Sequence, residues 1–121
     1  MNTERISIRY ARALLDTAKP LNILDNAFND LIKVETIISI SQDLRNLIKS
    51  PIIKAHHKSI IFKEIFSNKV SEIVLNFLVL LAEKRREVLI PDIIKQFKKV
   101  YYKEKGLVEI DIYTSNELNN E

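Results

Sequence analysis

The sequence predicts an all-α fold, a six-helix bundle, on three observations. Apolar residues recur at three- and four-residue spacings along most of the chain, the signature of amphipathic helices. A single glycine and three prolines in 121 residues leave few places for tight turns, which favours helices joined by short connectors. Nearly half of the residues (46%) are apolar and none is cysteine, so one domain of ordinary size must be held by packing alone.

The first helix is expected over residues 5–18, where Tyr10, Ala11, Ala13, Leu14, Leu15 and Ala18 make a broad apolar face between Arg9, Arg12 and Asp16. Pro20 stops it, since proline lacks the amide a continuing helix would use and disfavours helical geometry at the preceding residue. A second helix carries the stripe Leu24, Ala27, Phe28, Leu31, Val34, Ile37 and Ile38, and the polar segment 39–43 supplies capping residues for a short third helix over 44–49. After Ser50-Pro51, the residues Ile53, His57, Ile60, Ile61, Ile65 and Phe66 are expected to form the face of a fourth helix. The fifth helix spans about 71–83. The charged run Glu83-Lys84-Arg85-Arg86-Glu87 is expected to separate it from a sixth helix opened by Pro91-Asp92, with a proline in the first turn and an acid at the positive dipole end. Ile93, Ile94, Phe97, Val100 and Tyr101 supply its buried stripe.

Gly106 suits the left-handed cap that ends such a helix. Beyond it Val108, Ile110 and Ile112 alternate with Glu109, Asp111 and Tyr113, the period of a strand, and Thr114-Ser115-Asn116-Glu117 fits a capping box. A lone strand leaves its backbone groups unpaired. The expected division is therefore residues 1–105 as a helical domain and 106–121 as the truncated start of a second domain, the rest of which is missing.

The composition excludes several chemistries. One glycine cannot build the loop whose amides surround a phosphate, so nucleotide binding is not expected. His56 and His57 are adjacent and point to different faces, unlike ligands three or four apart, so no metal is expected; a half-buried His57 and an exposed His56 is the plainer reading. Neither a catalytic constellation nor a cofactor motif is present, and no enzyme is expected. The net charge of +3 is mild and its signs are interspersed. Lys95, Lys98, Lys99, Lys103 and Lys105 favour the dipole at a helix C-terminus and solvate its outer face, and no nucleic-acid partner is expected. The longest apolar stretch, 73–82, is far short of the roughly 20 residues of a membrane span, so no direct membrane insertion is expected, and the polar, acid-containing N-terminus reads as cytoplasmic.

The fifth helix carries an apolar excess. Ile73, Val74, Phe77, Leu78 and Leu81 suffice to face a core, yet Leu75, Val79, Leu80 and Ala82 are apolar too. Either the helix is buried on most sides within the bundle, or a second face awaits a partner helix. The first helix offers a match: Tyr10, Ala13, Leu14 and Thr17 form a face with small residues that permit close approach, so the two helices can wall a groove.

Two segments, Arg9-Tyr10-Ala11-Arg12-Ala13-Leu14-Leu15 and Asn76-Phe77-Leu78 through Leu81-Ala82-Glu83-Lys84-Arg85-Arg86, resemble the delta subunit of bacterial F-type ATP synthase, the counterpart of the mitochondrial oligomycin-sensitivity-conferring protein. The resemblance continues through Ile90-Pro91-Asp92-Ile93-Ile94-Lys95-Gln96-Phe97 and Gly106-Leu107-Val108-Glu109-Ile110, so it runs the whole chain in order. It implies a six-helix N-terminal domain in a non-catalytic subunit of the peripheral stalk, the stator that resists rotation of the catalytic head. It further implies that a groove between helices one and five grips the N-terminal helix of an alpha subunit. The implied groove residues are Tyr10, Ala13, Leu14 and Thr17 on helix one and Asn76, Val79, Leu80 and Glu83 on helix five, with Asn76 as the polar anchor. The implied location is the cytoplasmic face of the bacterial membrane, as a peripheral part of the complex.

The sequence departs from that family in length: it ends before the part that would engage the b-type stalk subunits. A piece of a longer subunit is expected, binding the head and not the stalk. Two other readings compete. One is a helical RNA-binding domain of the transcription antitermination type, whose phosphate contacts would weaken steeply with salt. The other is a self-associating module that hides the fifth helix in a homodimer.

Overall fold

The computed structural model describes residues 3–106. Among these lie six α-helices and no strand: α1 Thr3–Ala18, α2 Leu24–Ile40, α3 Gln42–Lys49, α4 Ala55–Phe66, α5 Glu72–Glu83 and α6 Ile90–Glu104, with 3-10 turns at Lys19–Leu21 and Glu87–Leu89. The expected strand at 108–113 and the capping box after it lie outside the described residues.

The helices pack chiefly as α1 on α6 and α4 on α5, with α2 bridging to α6. The small residues Ser7, Ala11 and Ala18 of α1 are fully buried, which lets that helix approach its neighbours closely. Phe62, Phe66, Leu31, Leu78, Ile93, Ile94 and Phe97 fill the core. Each such side chain contributes about 1.5–3 kcal/mol by leaving water.

Sequence signals explain most helix ends. Pro20 converts the end of α1 into a 3-10 turn closed by Asn22 in left-handed geometry, at φ 59°. Ser41 caps α3, its hydroxyl accepting from the Leu44 amide at 3.1 Å. Pro91 sits in the first turn of α6, and Gly106 follows that helix at φ +73°, where a side chain would be strained.

Other ends are secured from a distance. The N-terminus of α5 takes a carboxylate from α2, Asp30 Oδ2 accepting from the Ser71 amide at 2.8 Å. Arg45 of α3 donates to the last carbonyls of α2, Ile38 at 2.9 Å and Ser39 at 2.5 Å.

The charged run does separate α5 from α6, but its last residue turns inward: Glu87 is buried and paired with Lys58 of α4 at 2.5 Å. Lys58 is itself buried and also donates to the carbonyls of Ile48 (3.0 Å) and Ser50 (2.7 Å), so its three ammonium protons have three acceptors. The face of α4 is correspondingly rotated. Its buried residues are Lys58, Ser59, Phe62 and Phe66, while Ile60 and His57 are exposed along with His56. The apolar count misread this helix because a lysine and a serine occupy positions on its inner side.

Helix α5 ends in a left-handed turn with an arginine where glycine is usual: Arg85 has φ 60°, its amide donates to the Ala82 carbonyl (3.1 Å) and the Arg86 amide to the Leu81 carbonyl (2.7 Å). The Arg85 side chain donates to the carbonyls of Ile53 (2.8 Å) and Pro51 (3.3 Å), which offsets the backbone strain.

Candidate functional site

Because α1 rests on α6 and α5 on α4, α1 and α5 do not pack closely against each other. Between them lies an open cleft of about 380 Å3, lined by Tyr10, Ala13, Leu14 and Thr17 from α1 and by Ile73, Asn76, Phe77 and Leu80 from α5. Leu14 and Phe77 are buried and form the floor, with the Tyr10 ring edge-on to Phe77 at a centroid distance of 6.4 Å. Ala13 and Thr17 keep the α1 wall low. The Thr17 hydroxyl donates to the Ala13 carbonyl of its own helix at 2.9 Å, so its methyl is the group left for a ligand.

On the α5 wall Leu80 keeps 39% of its surface in solvent, large for a leucine beside a core. Asn76 is exposed, and its amide makes no hydrogen bond among the described residues. The cleft is thus an apolar trough with one unengaged amide on its rim. Such a lining is complementary to an apolar ridge that carries a hydrogen-bonding group opposite the amide.

The structure brings Tyr10, Ala13, Leu14, Thr17, Asn76 and Leu80 of the sequence-derived set to this cleft. It does not bring the other two. Val79 is 7% exposed and contributes to the core, and Glu83 is exposed one turn beyond Leu80, outside the lining. Sequence reasoning assigned Ile73 and Phe77 to the core alone, but both line the cleft. Residues 73, 76, 77 and 80 are one stripe at helical spacing, and that period was the signal available for them.

Among the described residues no group of three or more His, Cys, Asp or Glu side chains can hold a metal ion, and no helix is long and apolar enough to cross a membrane. The sequence pattern described as ATP synthase delta (OSCP) subunit matches residues 6–121. The chain belongs to the ATP synthase delta subunit family. It is 36% identical over all of its 121 residues to "ATP synthase subunit delta" of Chlorobaculum parvum, covering 67% of that protein, and 35% identical over the same span to that of Chlorobium phaeobacteroides (strain BS1), again 67%. Against "ATP synthase subunit delta" of Clostridium botulinum it is 34% identical over 92% of its own length and 62% of the relative's. The chain therefore spans about two thirds of the length of these relatives.

A second, polar cleft in this delta-family chain lies where the end of α6 meets the α1–α2 connection, lined by Lys19, Asn22, Leu24, Asp25, Glu104 and Lys105. Ion pairs lace it, Lys19 with Glu104 at 2.5 Å and Lys105 with Asp25 at 3.2 Å. The Tyr101 hydroxyl donates to Asp25 Oδ1 at 2.6 Å. That hydrogen bond, helped by Lys105, holds the Asp25 carboxyl below the usual carboxylate range. The same bond, together with burial, pushes Tyr101 up to about 12. These groups are engaged with one another, which sets this polar cleft apart from the mainly apolar α1/α5 cleft.

Proposed function

We propose that this delta-family chain is a non-catalytic part of the peripheral stalk of an F-type ATP synthase, and that it grips the N-terminal helix of an alpha subunit in the cleft between α1 and α5. The observation that carries the reading is the cleft itself: a trough with an aromatic floor, low walls of Ala13 and Thr17, an exposed Leu80 and a free Asn76 amide. The contributing mechanism is mechanical. A helix laid on this surface removes apolar area from water at roughly 25 cal/mol per Å2, less the cost of association, and the persistence of that contact resists torque on the head. Asn76 fixes the register of the bound helix by hydrogen bonding to it, since an unpaired amide under a docked helix would be costly.

In the same reading residues 1–105 are the head-binding unit and 106–121 begin a second domain through which b-type stalk subunits would be engaged. The location is then peripheral, at the cytoplasmic face of the membrane that holds the complex, with neither nucleic acid nor cofactor as a partner. Lys98 and Lys105 support this against an RNA-binding role, since they are committed to Glu35 (2.9 Å) and Asp25 (3.2 Å).

The test is a titration of the chain with a synthetic peptide of the cognate alpha subunit's N-terminal segment, following backbone amide shifts by NMR at two salt concentrations. Saturable, salt-tolerant shifts centred on Tyr10, Ala13, Asn76 and Leu80 are expected. A folded chain whose amides do not respond would overturn the groove reading, and concentration-dependent sedimentation of the free chain would point instead to self-association through this face.

A further inference from the structure

Two arginines follow α5, and they are used differently. Arg85 donates to two backbone carbonyls of the α3–α4 connection. Arg86 makes no side-chain hydrogen bond or ion pair among the described residues, although it is half-buried. Its guanidinium lies over the Tyr10 ring, 5.8 Å from the centroid. Its backbone has no freedom to carry it elsewhere: the Arg86 amide closes the turn on Leu81 and its carbonyl accepts from Leu89 at 3.0 Å.

Tyr10 is therefore held on two sides, edge-on by Phe77 and from above by Arg86. This clamp stands at the end of the cleft formed by the C-terminal part of α5. The position combines a cation with no hydrogen-bond partner among the described residues, planar N–H donors and partial removal from water, beside the Tyr10 that lines an otherwise apolar trough. Such a guanidinium is suited to a carboxylate, which it can take through two parallel hydrogen bonds.

We propose that Arg86 is a positioning and specificity residue of this cleft: it presets the Tyr10 ring, and it receives a carboxylate side chain of the docked helix, so fixing which way the helix runs. This rests on the cleft being a helix-binding site. A helix bound in the reverse direction would place its acid away from Arg86 and leave the guanidinium half-buried and unpaired, which disfavours that orientation.

The experiment is a double-mutant cycle between the chain and the alpha-subunit N-terminal peptide, measured by calorimetry. Wild type, Arg86→Ala and Arg86→Lys are each titrated with the native peptide and with peptides in which one Glu or Asp at a time is replaced by Gln or Asn. Arg86→Ala is expected to weaken binding about tenfold, the scale of one charge-assisted hydrogen bond lost. One acid-to-amide peptide should lose a similar factor on wild type and nothing further on Arg86→Ala, and Arg86→Lys should restore part of the loss. Free Arg86→Ala should also show displaced Tyr10 ring signals with an unchanged unfolding midpoint. Native affinity in Arg86→Ala, or losses that simply multiply for every acid, would overturn the inference while leaving the groove intact. Failure of wild type to bind any peptide would overturn the groove and this inference together.

Discussion

Replacing Lys58 by Met tests how the bundle is held where α3, α4 and the α5–α6 turn converge. Lys58 is 1% exposed and gives its three protons to Ile48, Ser50 and Glu87. Its partner Glu87 is 3% exposed, and the second carboxylate oxygen, Oε1, already has no partner. Methionine is close in volume and keeps the packing, so the substitution isolates the charge. What remains is a buried carboxylate with no counter-ion and two carbonyls without a donor. Removing one member of such a pair costs about 3–5 kcal/mol, against total stabilities of about 5–15 kcal/mol for domains of this kind. With a urea slope of about 1–2 kcal/mol per M, the unfolding midpoint should fall by about 1.5 M or more. Far-UV circular dichroism is the natural probe, since the chain has no tryptophan. The double variant Lys58→Met with Glu87→Leu should recover much of the loss, because both charges are then absent. A midpoint lowered by less than about 0.5 M at unchanged slope, or a double variant as unstable as the two single effects added, would refute the view that these groups are an obligate buried pair.

Three further outcomes follow from the geometry. Leu80→Asp, at a cleft-lining and solvated position, should abolish peptide binding and change stability by no more than about 0.5 kcal/mol, whereas Val79→Asp next to it should fail to fold; an unfolded Leu80→Asp chain would place Leu80 in the core. The hydrogen bond from Tyr101 raises that phenol's ionisation from its usual 10 to about 12 and depresses that of Asp25 from 3.8, so its stabilisation is present between those limits. It is lost as pH rises from about 10 through 12 and as pH falls below about 4; urea midpoints against pH should show both declines, and Tyr101→Phe should lack the alkaline one. Ser41→Ala removes the hydroxyl that accepts from the Leu44 amide and should cost about 1 kcal/mol in thermal or urea unfolding, a value near zero arguing against that cap.

The helices and their limits were legible in the sequence because their causes are local. Pro20, Pro91, Ser41 and Gly106 act through their own backbone or the adjacent turn, and apolar spacing sets which face of α2 and α6 turns inward. Helix α4 was misread for the complementary reason. Lys58 scores as a surface residue by type, and only a carboxylate brought from 29 positions away makes its burial tolerable. Asp30 at the start of α5 and Arg45 at the end of α2 are likewise contacts of the folded chain that no local pattern announces.

The candidate cleft divides along the same line. The sequence by itself determined that α5 has more apolar surface than one core face needs and that α1 offers a small-residue face, because composition and helical period are properties of a single helix. Only the tertiary structure decided which of those residues remain open. With α1 resting on α6 and α5 on α4, the gap between α1 and α5 is lined by the stripe through Ile73, Asn76, Phe77 and Leu80, with Asn76 and Leu80 exposed and Phe77 buried as its floor, while Val79, turned by one residue's 100° of helix from Leu80, lies outside the lining.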